Sequence, residues 1–270
     1  MTGGPVQGRV LIVAGSDSGG GAGIQADIKT VTALGGYAMT AVTALTAQNT
    51  QGVFGVVGIE PDFIVQQMRL VIDDIGVDVI KTGMLHNAAV IEAVCDVIAE
   101  YELPLVADPV MFAKGGHALL EPEAMSSLRA RLVPIATVLT PNLPEAAALI
   151  EREIETVDDM QAAAHDFGAL GASAVLLKGG HLTGDKLTDF LFAGAEQHRW
   201  DDTRIDTAHT HGTGCTLASA VATGLAQELL LRDAVDRGRA YVREAILAAP
   251  GFGHGHGPLA HGHTVAAFPR

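Results

Sequence analysis

Apolar positions along the chain alternate between two rhythms. Short unbroken runs such as VLIVAG (10–15), DVIKTG (78–83), LPLVADP (103–109), ATVLTPN (136–142) and SAVLLKGG (173–180) have the pattern of strands buried on both faces. Between them lie stretches whose apolar residues recur at helical spacing: GIQADIKTVTALGG, PDFIVQQMRLVIDDI with Pro61 at a first helical position, AAVIEAVCDVIAE, PEAMSSLRARLVP, PEAAALI and VDDMQAAAHDFGAL. YAMTAVTAL predicts a further strand, GVFGVVGIE an edge strand or hairpin, and TDFLFAGAEQHRWD a hairpin, while two final helices start near Gly214 and Leu231. Strands separated by helices of this length call for a mostly parallel sheet covered on both faces.

A chain of 270 residues that is 48% hydrophobic can bury one large core. No Pro/Ser-rich stretch, charge block or fixed-period repeat divides it, so the expectation is a single domain over 1–270, with residues 1–8 flexible and 251–270 a Gly/His-rich tail. The formal net charge of −14 argues against a protein that binds nucleic acid or anionic lipid by bulk charge. The first residues, MTGGPVQGRV, lack a charged stretch followed by an apolar one, and no apolar run approaches the ~18 residues of a membrane span. These features predict a soluble cytoplasmic protein with no nucleic-acid or membrane partner. Two cysteines form no disulfide framework. Cys95, in a helical apolar pattern, has the setting of a buried thiol, and Cys215 asks for another explanation.

Ligands of parallel sheets gather beyond the carboxyl ends of the strands. The polar residues at those ends are Ser16 and Asp17, Lys81 and Thr82, Asp108, Asn142 and Glu145, Lys178, and the turn before Cys215. Any one of them alone reads as a helix cap or solvated loop residue; several on one edge read as a site. Neither common nucleotide motif is present. SDSGGGAGIQAD places Ile24 three residues past Gly21, which breaks a dinucleotide fingerprint, and a phosphate-loop register begun at Gly15 reaches Gly21 and Ala22 where Lys and Ser/Thr are required.

HGTGC (211–215) remains. Backbone amides of Gly212, Thr213, Gly214 and Cys215 at a helix start would converge at the positive end of the helix dipole, forming a pocket for a phosphoryl oxyanion. A plain glycine turn before a packed helix is the competing explanation. Lys178, followed by Gly179 and Gly180, supplies a cation for polyphosphate, and Asp108, Asn142 and Glu145 can hold Mg²⁺ directly or through its waters. Together these groups describe phosphoryl transfer.

The motifs AGSDSGGGAGIQADIKT (14–30), TALTAQNTQGV (43–53), IKTGML (80–85), ADPVMFAKGG (107–116), LTPNLPEAAAL (139–149), LLKGGH (176–181) and HGTGCT (211–216) run across nearly the whole chain. In that order they closely resemble the hydroxymethylpyrimidine/phosphomethylpyrimidine kinases of thiamine biosynthesis, within the ribokinase superfamily. The resemblance implies a three-layer α/β/α ribokinase-like fold and a dimer. It also implies two successive Mg-ATP-dependent phosphorylations of 4-amino-5-hydroxymethyl-2-methylpyrimidine, first of the alcohol and then of its monophosphate. ATP and Mg²⁺ are the implied cofactors and the small pyrimidine the implied partner.

Most sugar kinases of that superfamily end the corresponding turn in Gly-Ala-Gly-Asp, with the aspartate acting as base; here Cys215 holds that position. A thiol at a helix amino terminus beside a lysine can have its pKa lowered toward neutrality, which makes Cys215 the expected base for the alcohol. The monophosphate, with a second pKa near 6, is already an anionic nucleophile and needs less help. Gln48 can pair with a ring nitrogen and its adjacent amino group, although a carboxamide that satisfies loop backbone would read the same. The resemblance adds Gly23, Met84 and Val110 around the ring. Asp27 joins them, or merely favours the dipole of the first helix. GFGHGHGPLAHGH (251–263) carries four histidines, but alternating His-Gly lacks the spacing of a structural zinc site and predicts a solvated tail. His211 either touches phosphate or packs. Two rivals stay open: pyridoxal kinase, which phosphorylates a comparable hydroxymethyl group, and a non-catalytic ligand-binding regulator on the same fold.

Overall fold

The computed structural model describes residues 7–113 and 115–266. Its strands are β1 (Arg9–Ala14), β2 (Tyr37–Val42), β3 (Ala44–Asn49), β4 (Gly52–Gly58), β5 (Val79–Thr82), β6 (Leu105–Ala107), β7 (Val138–Leu139), β8 (Ala174–Lys178), β9 (Lys186–Ala193) and β10 (Glu196–Thr203). Its helices are α1 (Gly23–Ala33), α2 (Pro61–Asp74), α3 (Ala88–Tyr101), α4 (Ala124–Ser127), α5 (Val133–Ile135), α6 (Leu143–Ile150), α7 (Val157–Ala169), α8 (Thr213–Ala226) and α9 (Leu231–Leu247), with a π-helical turn over Leu128–Leu132 joining α4 to α5.

Eight strands form one sheet in the order β10-β9-β8-β7-β6-β5-β1-β2. From β2 to β8 neighbours pair in parallel, and the β9–β10 hairpin closes that edge antiparallel. Strand β1 shows why its run is apolar without alternation. Successive side chains point to opposite faces. Leu11 and Val13 join the core beneath α2, α3, α6 and α7, while Val10, Ile12 and Ala14 join the core beneath α1, α8 and α9. The result is the three-layer α/β/α architecture of the ribokinase-like fold. Strands β3 and β4 leave the sheet and pair with each other as a separate antiparallel ribbon, carrying Gln48 away from the core layer.

Two features position the site. Strand order changes direction between β1 and β5, since the chain goes from β1 to β2 on one side and from β5 through β8 on the other; such a split opens a crevice beyond the strand carboxyl ends. The second feature is α8, which is buried on nearly every side, including Thr216, Ser219 and Thr223. Helices hydrophobic all round belong in an interior.

The sequence expectation is that residues 1–8 are flexible. Residues 1–6 lie outside the described residues, but Gln7 donates its N–H to the Gly35 carbonyl and Gly8 accepts from Tyr37 N–H, extending the first parallel pair. The expectation of a solvated tail fails over 253–261. His256 N–H donates to the Thr50 carbonyl, His211 N–H to the Gly257 carbonyl, and Ala260 N–H to the Ala245 carbonyl. Glycine occurs there because the strap lies directly on its neighbour: a Cβ on Gly255 would sit 2.1 Å from the Thr50 carbonyl oxygen. His261 ends the strap buried, its ring Nε2 3.0 Å from Thr216 Oγ1 and its carbonyl bound by the Tyr241 hydroxyl. Residues 267–270 of the expected tail lie outside the described residues.

Candidate active site

Beyond the carboxyl ends of β1, β5, β6 and β8 lies a cavity of about 1140 Å³. Its wall includes Gly23, Gln48, Met84, Asp108, Val110, Asn142, Glu145, Lys178, Gly212, Thr213, Gly214 and Cys215, so twelve residues singled out from sequence converge on one space. Asp27 is the exception. It is fully buried behind the wall, where both carboxylate oxygens accept from Lys81 Nζ at 2.9 Å and Oδ1 also accepts from Ser219 Oγ at 2.7 Å. Charge pairing in the interior, rather than a ligand or a helix dipole, explains that aspartate.

The anion turn has the expected form. Gly212 is the N-cap of α8 with φ 84°, and a Cβ there would lie 1.8 Å from the Gly21 carbonyl oxygen, so both the left-handed backbone and the close approach demand glycine. No side chain caps α8, which leaves its first amides pointing into the cavity. Gly21 itself belongs to the loop wrapped around Asp17, whose carboxylate accepts from the N–H groups of Gly19, Gly21 and Ala22 and pairs with His211 Nε2 at 2.8 Å. Burial pushes the Asp17 carboxyl up, but His211 and these amides outweigh it and hold it below the ordinary value. His211 therefore packs against Asp17, and its ring also lies 3.4 Å from Gln48 Nε2.

Lys178 Nζ lies 3.0 Å from Asp108 Oδ1 and would be 3.2 Å from a Cβ on Gly214, which places the cation between the acidic pair and the anion turn. Burial works against its charge, and Asp108 with Glu145 reverses that, so it stays protonated with a raised pKa. Thr140 Oγ1 donates to Asp108 Oδ1 at 3.0 Å, and Oδ2 is the oxygen that faces Gly214. Asn142 and Glu145 form a reciprocal capping box at the start of α6: Asn142 Oδ1 accepts from Glu145 N–H and Glu145 Oε2 accepts from Asn142 N–H. Capping is thus part of what these two residues do. Glu145 is nonetheless pushed up to about 7, by burial first and then, against the pull of Lys178, by the Asp108 carboxylate. A carboxyl group raised by burial and by a neighbouring carboxylate fits a divalent cation held beside the two, and Mg²⁺ takes one or two carboxylates plus phosphate oxygens rather than an all-protein cage. Consistently, among the described residues no group of three or more His, Cys, Asp or Glu could hold a metal unaided.

Cys215 corrects one expectation. Part of its surface faces the cavity, yet its thiol is pushed up to about 12 instead of down toward neutrality. Burial is the larger cause; the Lys81 charge and the Gly23 N–H pull the other way, and Asp27 and Asp108 add to burial. A second face of the cavity escaped the sequence analysis: Arg239, Val242 and Ile246 of α9, with Leu217 and the 203–208 segment, make a partly apolar slot. Their i, i+3, i+7 stripe was visible, but such a stripe ordinarily signals core.

Residues 17–260 match the family model described as phosphomethylpyrimidine kinase. The chain is 52% identical over 256 residues to the thiamine biosynthesis bifunctional protein ThiED of Geobacter sulfurreducens, covering 94% of this chain but 52% of that longer protein. It is 49% identical to the hydroxymethylpyrimidine/phosphomethylpyrimidine kinase of Streptomyces coelicolor, covering 94% of each. Its fold superimposes on an ADP complex of Bacillus subtilis pyridoxal kinase with a TM-score of 0.86 and 39% identity, over 94% of this chain and 97% of the other.

Two outcomes are expected from the site. Gly212→Ala must displace either the anion turn or the Gly21 loop, which should cost on the order of 1–3 kcal/mol in urea denaturation and abolish most activity. Glu145→Gln should flatten the pH dependence of stability. Because the folded chain holds the Glu145 proton more tightly than the unfolded one, its contribution is full below about 4.5 and is lost as pH rises through about 7. Urea melts between those limits should show the wild type losing stability relative to the variant. A glycine-bearing helix start, a lysine and two carboxyl groups thus line one cavity in a chain that belongs to the phosphomethylpyrimidine kinase family and is a phosphotransferase of ribokinase-like fold.

Proposed function

We propose that this chain, working as one kinase domain, uses Mg-ATP to phosphorylate 4-amino-5-hydroxymethyl-2-methylpyrimidine and then its monophosphate. The observation that carries this reading is the single cavity that joins Gln48, Met84 and Val110 at one end to the α8 turn and Lys178 at the other. That chemistry suits a small flat acceptor facing a polyphosphate. Gln48 takes the aminopyrimidine edge, and Met84, Val110 and Gly23 enclose the ring. The apolar slot formed with Val242 and Ile246 suits the base of ATP.

In the first transfer the acceptor oxygen forms a bond to the γ-phosphorus, its proton passes to Cys215 Sγ, and the bond to the β–γ bridging oxygen breaks as ADP leaves. Amides of Gly212, Thr213 and Gly214 meet the equatorial oxygens, while Lys178 meets the bridging side. Magnesium, when bound, would be held by Asp108 and Glu145, with Asn142 beside them, and neutralise polyphosphate charge. In the second transfer the acceptor is a phosphate oxygen that is already ionised, so Cys215 has no proton to accept.

Exposed apolar residues on the β3–β4 ribbon, Leu45, Phe54 and Val57, support a homodimer through that face. Free thiols at Cys95 and Cys215 suit a reducing cytoplasm. Among the described residues no helix is long and apolar enough to cross a membrane. Phosphorylation of pyridoxal is the second reading, favoured by the likeness to the Bacillus subtilis enzyme.

A coupled assay for ADP with the pyrimidine alcohol, its monophosphate and pyridoxal as acceptors tests these readings; turnover with pyridoxal alone would remove the first. Cys215→Ala should lower turnover of the alcohol at least a hundredfold and that of the monophosphate far less, and equal losses would make the thiol a positioning group. Because the thiol sits near 12, its thiolate fraction grows about tenfold per pH unit below that. The wild-type kcat/KM for the alcohol should therefore climb between pH 7 and pH 9, while that for the monophosphate levels off once its second proton is lost near pH ~6. Lys178→Met should cut turnover on either acceptor by roughly 10²–10³ at saturating ATP with little change in acceptor KM; near-normal turnover would take Lys178 out of the transfer step.

A further inference from the structure

Lys81 is among the largest fully buried side chains of the described structure, and a wholly buried ammonium is rare without a use. It lies on β5 with Val79, on the face of the sheet covered by α1 and α8, and its Nζ would be 3.3 Å from a Cβ on Gly83 at the cavity wall. Two helices bring the rest of the cluster to it. On α1, Gly23 and Asp27 are four residues apart; on α8, Cys215 and Ser219 are four residues apart. Residues at i and i+4 stack on one helix face, about 6 Å apart along the axis. The upper members, Gly23 and Cys215, both line the cavity, and the Gly23 N–H acts on the Cys215 sulfur. The lower members meet where Ser219 Oγ donates to Asp27 Oδ1, and Asp27 in turn takes Lys81 in a bidentate pair. A fixed ammonium is thus paired with the carboxylate one helical turn beyond Gly23, and Ser219, one turn beyond Cys215, ties that carboxylate from the second helix.

We propose that Lys81, fixed by Asp27 and Ser219, is a positioning residue whose buried positive charge favours the thiolate at Cys215 and thereby sets the rate of the first phosphoryl transfer. This rests on the reading of Cys215 as the proton acceptor in that transfer. An interior ion pair contributes little net stability compared with apolar packing, so its retention beneath a reactive atom calls for a use. Burial opposes the Lys81 charge, but Asp27, Cys215 and Asp108 more than offset it, and the ammonium remains protonated. The charged groups that face Cys215 are Lys81 from β5, Asp27 from α1 and Asp108 after β6, and Lys178 interacts with it from the end of β8; of these, Lys81 is the strongest influence favouring the thiolate. The proton taken from the acceptor hydroxyl passes to Cys215 Sγ and leaves to solvent after ADP departs.

Opposite charges make an opposite-sign test. The second-order rate of Cys215 alkylation by iodoacetamide, followed by peptide mass spectrometry between pH 7 and pH 9, reads the thiolate without requiring catalysis. Buried Cys95 appears as a separate peptide. Lys81→Met should slow alkylation tenfold or more at fixed pH, and Asp27→Asn should speed it. The double variant Lys81→Met/Asp27→Asn, which removes the pair together and avoids a lone buried carboxylate, should fall between wild type and Lys81→Met. If Lys81→Met does not fold, the order Asp27→Asn, wild type, double variant decides alone. A purely structural pair would shift all variants in one direction or leave the rate unchanged, and either result overturns the proposal. Turnover completes the test: loss confined to the alcohol acceptor supports it. An intact alkylation order with equal loss on alcohol and monophosphate would overturn the proton-acceptor reading, and with it the role in the first transfer.

Discussion

Helix α8 is buried on nearly every side, and such a helix must run between the sheet and another helix. Once it packs against β1, β5 and β6 beneath α1 and α9, its amino end is fixed at the split between β1 and β5. The rest of the site follows from that placement. Uncapped amides meet the cavity, Gly212 is pressed onto the Gly21 loop, Cys215 takes the first turn, and Ser219 reaches the ion pair one turn below. A surface helix could adjust its angle to a ligand. This one is held by close packing on all sides, so the anion turn is preorganised, and little reorganisation is left for the moment when charge develops.

Elements that depend on local pattern were legible in the chain. The unbroken runs of β1, β5 and β8 announce strands covered on both faces, Pro61 marks the start of α2, and Gly-Ala at 194–195 marks the β9–β10 turn. The site inventory was legible for a similar reason: parallel strands end in the same plane, so polar residues just past their carboxyl ends must become neighbours. Quantities that depend on surroundings were not. The thiol of Cys215 lies at a helix start beside lysines, and local reasoning lowers its pKa; the dominant cause is burial, which no spacing reveals. Asp27 looked like a ligand or a dipole partner because its true partner, Lys81, lies 54 residues away on a strand whose neighbours are all apolar.

Two further features needed the third dimension. The α9 stripe of Arg239, Val242 and Ile246 has the periodicity of any core-facing helix, and only the cavity distinguishes wall from core. The Gly-His repeat near residue 255 was read as a solvated segment because its spacing does not fit a structural zinc site. Here the repeat signals contact, with Gly255 pressed against the Thr50 backbone about 200 residues earlier in the chain.

That strap, from Gly253 to His261, has a consequence for how the protein comes into being. It touches Thr50 beside the Gln48 strand, His211 just before α8 and Thr216 on α8, adding to the contacts that Gln48 and Asp17 already make with the His211 ring. During synthesis every other part of the site leaves the ribosome first. The contacts by which the strap ties the β3–β4 ribbon to the start of α8 can therefore form only after both have been synthesised, as an addition to strands and helices already complete in the chain.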